Sequence, residues 1–597
     1  MAVMQSKRMR SRLSGLGLLV GLLVGLLSSC ATAPRRFPLA PPLWQDSDQG
    51  ALKNKPGKYY SGMIADVADK ILFRPVARLF YFPLSSDAAN VNAIDEVPNS
   101  SWFTNRIGLF SMSTAEVAQG SCTDKGLDPN VGPWLVVGAK PDGANPGFFI
   151  KAKSGTYLLK FDGPMQPKRA TAADVIGSRI YHAAGYNAPC NRVVYFRKSI
   201  LKIGKGAKST NAYGEKTPLT QKEVDQVLAM AFRKKNGIMR AAASRFLPGK
   251  PLGPFRYNNR RSDDKNDVIR HENRRELRGA RLLAAWVNHF DAREQNTLDL
   301  LVKREGRQFI KHYYIDFGDC FGSRWDWDGI SRRLGHSYYF DAEHVAVDLV
   351  SLGLVKRPWH RAKINKDAEI FGYYSSDLFV PSKWQAAYPN PAFDAMNFRD
   401  ALWMVRIISR FTDEHIKAMI KEGQIDDPRA EAYLLKTLIK RRDMIVGEYL
   451  RKYAPLDRFR LVRRKAKQRT QSLCFEDTAV KHRLVPPKDV LYKMRFFAGK
   501  NWDRQLGWLQ FSPDAEHPHR SCVVMPIGDK RPADLAPKGA ADDHALRYGV
   551  LKIFIHQRPT LPPTSSIWLH LYDLGPQRGY RLVGIERQPK PKMPDLY

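Results

Sequence analysis

His289, Asp291 and Asn296 fall within one short stretch, His289-Phe-Asp291-Ala-Arg-Glu-Gln-Asn296, directly after the apolar run Leu282 to Val287. About twenty residues further on comes Asp316-Phe-Gly318. The residues between predict a β-hairpin: a strand over 296–302, a turn at Arg304-Glu-Gly306-Arg307, and a strand over 309–315. Such a hairpin sets Asn296 and Asp316 side by side at its open end, with Asp291 on the loop in front of them. Phosphoryl transfer requires this set: a carboxylate that orients the attacking hydroxyl, and an Asn/Asp pair that holds Mg²⁺ on a nucleoside triphosphate. Asp291 is therefore the candidate catalytic residue, and Asn296 and Asp316 are the candidate metal ligands. His289 reads as a structural support of the loop.

The His-x-Asp-x4-Asn spacing resembles the catalytic loop of protein kinases and aminoglycoside phosphotransferases. Ile315-Asp-Phe-Gly318, followed by Phe321-Gly322, is most similar to phosphoinositide kinases and HipA-type serine kinases. All belong to the protein-kinase-like superfamily, and the resemblance covers roughly residues 131–330. It implies a bilobal fold, ATP and Mg²⁺ as cofactors, and a small β-rich lobe carrying a lysine ahead of the catalytic loop.

The elements that would position these groups are legible upstream. Residues 134–140, 148–153 and 156–162 read as strands, with a glycine-containing loop over 141–147 and a tight turn at Ser154-Gly155. Lys160 ends the apolar run of the third strand, where the superfamily places the lysine that grips nucleotide phosphates. Gly143 and Gly147 would leave backbone N–H groups open to the same phosphates. The superfamily pairs its lysine with a Glu on the next helix. The helix over about 171–184 has no Glu, and Asp174 is its only acid. Either the helix sits closer and Asp174 serves the lysine, or the lysine has another partner. Residues 244–255, rich in Pro and Gly, read as an extended linker at the position of the adenine-contacting hinge. A helix then opens near Glu272 and runs to Asn288.

The first thirty residues read as an address. Lys7, Arg8, Arg10 and Arg12 precede an apolar stretch, Leu13 to Leu27, too short and glycine-rich to span a bilayer convincingly. Leu27-Ser-Ser-Cys30 resembles the lipobox of bacterial lipoproteins, which implies cleavage before Cys30 and lipidation of its thiol and new amine. Ala31 rather than Asp after the Cys resembles the pattern of lipoproteins sorted to the outer membrane, which implies an anchor there, facing the periplasm. Thr32 to Pro42 reads as a stiff tether.

Formal charge is +37; the first 29 residues hold four basic residues and no acid, leaving +33. On an exported protein that balance points to anionic envelope polymers or lipids rather than nucleic acid. The apolar fraction, 43%, permits a substantial core. Beyond Cys30 stand Cys122, Cys190, Cys320, Cys474 and Cys522, without the C-x-x-C spacing of a zinc site. The odd number leaves at least one unpaired; Cys474–Cys522 is one conceivable bridge, and the pairing does not follow from sequence.

The expected fold class is α+β: a bilobal kinase-like fold with an N-terminal extension and a C-terminal antiparallel β domain. The expected divisions are 1–29 signal peptide, 30–50 lipid-anchored tether and 51–130 extension packed on the small lobe. Residues 131–243 form the small lobe with an insertion, 244–455 the hinge and helical large lobe, 456–470 a basic linker, and 471–597 a sandwich-like β domain. Three functions fit: a Mg²⁺- and ATP-dependent phosphotransferase on an unidentified hydroxyl, a catalytically inactive binding scaffold of the same fold, or an adenylyl transferase.

Overall fold

The structure, a computed structural model, describes residues 35–59, 68–74, 76, 86–139, 146–163, 165–210, 216–463, 471–498, 504–525, 548–558, 565–574 and 578–588. Cys30, Gly143, the signal stretch and residues 464–470 lie outside the described residues. The chain is mixed α and β, with several sheets.

Strands β1 (Trp134–Ala139), β2 (Gly147–Ala152) and β3 (Gly155–Lys160) form an antiparallel meander. With β4 (Asn191–Arg197), β5 (Leu201–Thr210), β6 (Lys216–Pro218) and β7 (Ile238–Arg245) they make a seven-stranded sheet, ordered β4-β7-β3-β2-β1-β5-β6. Alternation along β3 buries Tyr157 and Leu159 on one face, in a core with Trp134, Val136, Phe148, Ile150 and Phe161. Lys160 points to the opposite face, where helix α1 (Arg169–Ala184) lies.

β8 (Lys250–Gly253) pairs with β9 (Thr297–Arg304), and β9 with β10 (Arg307–Tyr314). Residues 250–253 are therefore a strand, not part of an extended linker. Pro251 and the glycines hid this from the pattern, because an edge strand tolerates both. The β9–β10 turn is Glu305-Gly306, both at positive φ (51° and 76°), which fits the right-handed twist of a two-residue hairpin.

Helix α2 (Arg275–Val287) ends at Asn288 in the left-handed conformation, φ 54°. It packs on α3 (Phe398–Ile408), which Asn397 caps by accepting from the Arg399 and Asp400 N–H groups. α4 (Asp413–Glu422) and the long α5 (Pro428–Leu450) complete the helical body.

Two antiparallel sheets follow. β11 (Leu456–Arg463), β12 (Gln471–Asp477) and β15 (Arg520–Val524) form one, ordered β11-β12-β15. The other is β14 (Arg504–Phe511), β13 (Val490–Ala498), β16 (Tyr548–Gln557), β17 (Ser565–Asp573) and β18 (Tyr580–Gln588), in that order. Their inner residues, including Leu473, Phe475, Tyr492, Leu551 and Leu569, join the core of the helical body. Residues 456–463 were expected as basic linker and are instead strand β11. An irregularity at Arg458, φ 54°, breaks the alternation between buried Leu456 and the packed Phe459 and Leu461, and the interspersed arginines mask what is left of it.

Two further expectations are corrected. The tether reading ends at Phe37, which is buried against Tyr548, Val550 and Val583. Asp48 accepts hydrogen bonds from Ser101 N–H and Oγ, binding this segment to the next. The extension does not sit chiefly on the seven-stranded sheet. Trp102 stacks on His312 at 3.4 Å, and Phe103 meets Tyr186 and Trp403, so the apolar residues of this segment complete the helical core. Disulfides link Cys122 to Cys190 and Cys474 to Cys522; Cys320 is free and buried.

Candidate functional site

The open end of the hairpin does bring the two halves of the motif together. Ile315 N–H donates to Asn296 O at 2.9 Å, continuing the β9–β10 ladder by one residue. Asp316 follows with φ 57°, a left-handed conformation that Asp tolerates better than most residues. The turn aims its carboxylate at Lys160, whose Nζ lies 3.0 Å from Asp316 Oδ1 and 3.2 Å from Asp174 Oδ1. Asp174 is therefore the lysine's partner on α1, and it also accepts the Phe317 N–H at 2.9 Å. Burial works against the Lys160 charge, but the two carboxylates hold the ammonium above the ordinary lysine range.

The second half is the Asp291 loop. Asn296 Nδ2 donates to Asp291 O (2.7 Å) and Oδ2 (3.0 Å), and Arg293 Nε lies 3.0 Å from Asp291 Oδ1. With its amide nitrogen committed to Asp291, Asn296 retains its amide oxygen for a cation. Asp291 N–H donates to Asp319 Oδ2 at 2.9 Å, which locks the loop onto the residue just after Gly318. His289 is fully buried; its Nδ1 shares a hydrogen bond with Tyr181 Oη at 2.9 Å, and its Nε2 stands 3.4 Å from Asp319 Oδ1. Burial pushes His289 down to about 4, so it is neutral at pH 7 and braces the loop as an uncharged ring.

Asp319 is the residue that sequence reasoning missed. It was in plain view as the fourth residue of Asp316-Phe-Gly-Asp319, but only the fold shows that it faces Asp291. Burial pushes Asp319 up to about 7; the Asp291 N–H opposes this and Asp316 adds to it. Burial also raises Asp291, to about 6, with Arg293 opposing and Asp319 reinforcing. Arg169 and Gln166 were missed as well. Arg169 Nη1 donates to Gly318 O and Cys320 O, and Gln166 Nε2 to Gly322 O and Ile370 O, which fasten the segment after Asp316. Phe317 is buried against α1, where a Cβ on Gly177 would stand 2.6 Å from the Phe317 Cβ.

Gly147 is not a loop glycine. It opens β2 opposite Lys160, and a Cβ there would lie 2.3 Å from Leu159 O, so strand pairing alone demands glycine.

The residues fit a divalent cation bound with phosphates. Asp174, Asp291, Asp316 and Asp319 gather around Lys160, Arg169 and Arg293, four carboxylates to three cations. Asp319 Oδ1 and Asp174 Oδ2 are buried without a hydrogen bond. Among the described residues no three His, Cys, Asp or Glu side chains enclose a metal by themselves.

No family model and no curated protein matches this chain. Among solved structures it is similar to a Helicobacter pylori proinflammatory kinase, CtkA, at 12% identity, over 52% of this chain and 94% of that one, with a TM-score of 0.27. A likeness that low carries no argument, and the chemistry rests on the side chains.

Proposed function

We propose that this chain is an envelope lipoprotein, anchored through Cys30, that carries a bilobal kinase-like domain transferring phosphate from Mg²⁺–ATP to a hydroxyl acceptor. The observation that carries the reading is the convergence of Lys160, Asp174 and Asp316 with the Asp291–Asn296 pair, where buried and half-buried carboxylates outnumber cations. ATP would supply the transferable phosphoryl group, and its Mg²⁺ the positive charge beside the carboxylates. Lys160, fixed by Asp174, holds the phosphates; Asp316 and the Asn296 amide oxygen hold the cation. Asp291 orients the acceptor hydroxyl and takes its proton. Raised to about 6, it is ionised at pH 7 and a better base than an ordinary carboxylate. Asp319 and the neutral His289 keep that loop in register.

Calorimetry with ATP, ADP and GTP at millimolar Mg²⁺ tests the proposal. Binding that needs Mg²⁺ and weakens about tenfold or more in Asp316→Asn is the expected result. Asp291→Asn should bind nucleotide like wild type and lose about 10²–10⁴ of turnover. One observation favours a scaffold without turnover: Lys160 already sits between two carboxylates, so its charge is satisfied without phosphate. Absence of nucleotide binding would decide for the scaffold, and transfer of AMP instead of phosphate would decide for adenylyl transfer.

A further inference from the structure

The helix Ala342–Val350 has no buried residue. Leu349 is 72% exposed, Val350 89%, Leu352 88% and Leu354 81%, and Val345, Val347 and Val355 are exposed beside them. Monomeric proteins rarely leave so many contiguous aliphatic side chains in water. The segment is nonetheless well built. Asp341 caps the helix by accepting from His344 N–H at 3.2 Å, and Gly353, at φ 76°, turns the chain back with its N–H on Asp348 O. Arg357 clamps the return leg, donating to His344 O (3.2 Å) and Asp348 Oδ1 (2.8 Å). The result is a braced finger with an aliphatic tip.

Its base is basic. Lys356, Arg357, Arg361, Lys363 and Lys366 follow within a dozen residues of the tip, against Glu343 and Asp348 on the finger itself. Trp327, 71% exposed, precedes the short helix 328–333, which packs on Pro358–Arg361 at the foot of the finger. An aliphatic tip above a foot that carries basic residues and an exposed Trp matches a lipid leaflet, acyl chains for the tip and anionic headgroups for the foot. A protein partner would instead favour aromatic and Arg anchors, and the exposed apolar side chains of this tip are all aliphatic.

We propose that residues 342–355 form a membrane-seating finger that inserts its tip into a bilayer containing anionic phospholipid, separately from any covalent anchor. The finger begins three residues after Tyr339, whose N–H donates to Ala387 O, while Ala387 N–H donates to Phe290 O beside Asp291. Two backbone hydrogen bonds thus tie the base of the finger to the Asp291 loop. The finger does not rest on the phosphotransfer reading.

Hydrogen exchange of the full chain, without nucleotide, tests the finger. On vesicles of equal parts phosphatidylglycerol and phosphatidylcholine, amides of 342–355 should exchange about tenfold slower or more than in vesicle-free buffer. On phosphatidylcholine alone the protection should be largely lost, and added salt should weaken it. The double substitution Leu349→Glu, Leu352→Glu should abolish it and leave exchange elsewhere unchanged. Equal exchange with and without anionic vesicles would overturn the proposal. So would protection already present in vesicle-free buffer: rising with protein concentration, it would place a second copy on the finger; independent of concentration, another part of this chain.

Discussion

Two clusters of buried charge lie in this molecule, and they are balanced in opposite senses. In the first, Asp95, Glu96 and Asp457 face Arg275, Arg406, Arg410 and Arg587, at N–O distances of 2.6 to 3.3 Å for the closest pairs. It ties the N-terminal segment, α2, α3, β11 and β18 together. Burial would raise Asp95 and Asp457, but the guanidinium groups hold both below the usual carboxylate range; burial leaves only Glu96 of the three above it. In the second, around Lys160 and Asp291, the carboxylates are in excess and Asp291 and Asp319 are pushed up instead. The first cluster is closed and does structural work. The second is short of positive charge, as expected where a ligand is to supply it.

The largest expected effect breaks the closed cluster. Arg406→Met leaves Glu96 and Asp457 short of their shared partner, and removing one member of a buried ion-pair network costs about 3–5 kcal/mol. Chemical denaturation should register that loss, and Mg²⁺ should not restore it. A loss below about 1 kcal/mol would mean that the cluster is not what joins the C-terminal sheets to the helical body.

The two clusters also differ in how much of them sequence reveals. Asp291 and Asn296 are five residues apart, and a hairpin with Glu305-Gly306 at its turn brings Asp316 back to them; local periodicity carries that much. The meeting of Lys160 with Asp316, 156 residues away, came from the superfamily resemblance, because no local pattern encodes it. Asp319 escaped because a fourth acid on a short loop has no periodicity to mark its direction. The arginine cluster escaped entirely. Arg406 lies on an amphipathic helix, Asp457 in a run that reads as charged linker, and Arg587 near the end of the chain; only tertiary packing assembles them. The Cys122–Cys190 bridge escaped for the same reason, while α2 and β1 to β3 were legible within a few residues of their ends.

A second, smaller effect probes the missing charge. In the unfolded chain Asp291 and Asp319 ionise near their ordinary values, whereas in the fold they keep their protons to about 6 and 7. Between about pH 4 and 7 the folded state thus binds more protons, and stability falls as pH rises through that window. Mg²⁺ competes with those protons, so its stabilisation should grow over the same range. At a hundredfold excess over its Kd it should reach about 2.7 kcal/mol at pH 8 and shrink markedly at pH 5. Asp319→Asn should flatten the pH profile without Mg²⁺. Equal shifts in melting temperature with Mg²⁺ at both pH values would remove these carboxylates from the site.

The smallest effect separates stability from site geometry through two glycines. Gly306 sits at φ 76° in the hairpin turn with nothing near its missing side chain, so Gly306→Ala costs only backbone strain, about 1–2 kcal/mol. Gly177 lies in regular helix α1, and an added methyl would press on Phe317; overpacking of this kind costs about 1–3 kcal/mol. The losses in stability are comparable, but their routes differ. Gly306 touches only the far end of the hairpin, whereas Phe317 is the neighbour of Asp316, and its N–H is held by the Asp174 carboxylate that also holds Lys160. Shifting Phe317 by a few tenths of an ångström therefore disturbs the Lys160–Asp316 contact directly. Gly177→Ala should lower the stabilisation by Mg²⁺ with ATP several-fold more than Gly306→Ala does, at matched losses of stability without ligand. If both variants keep the wild-type response, the docking of Phe317 on α1 does not set the geometry of Asp316.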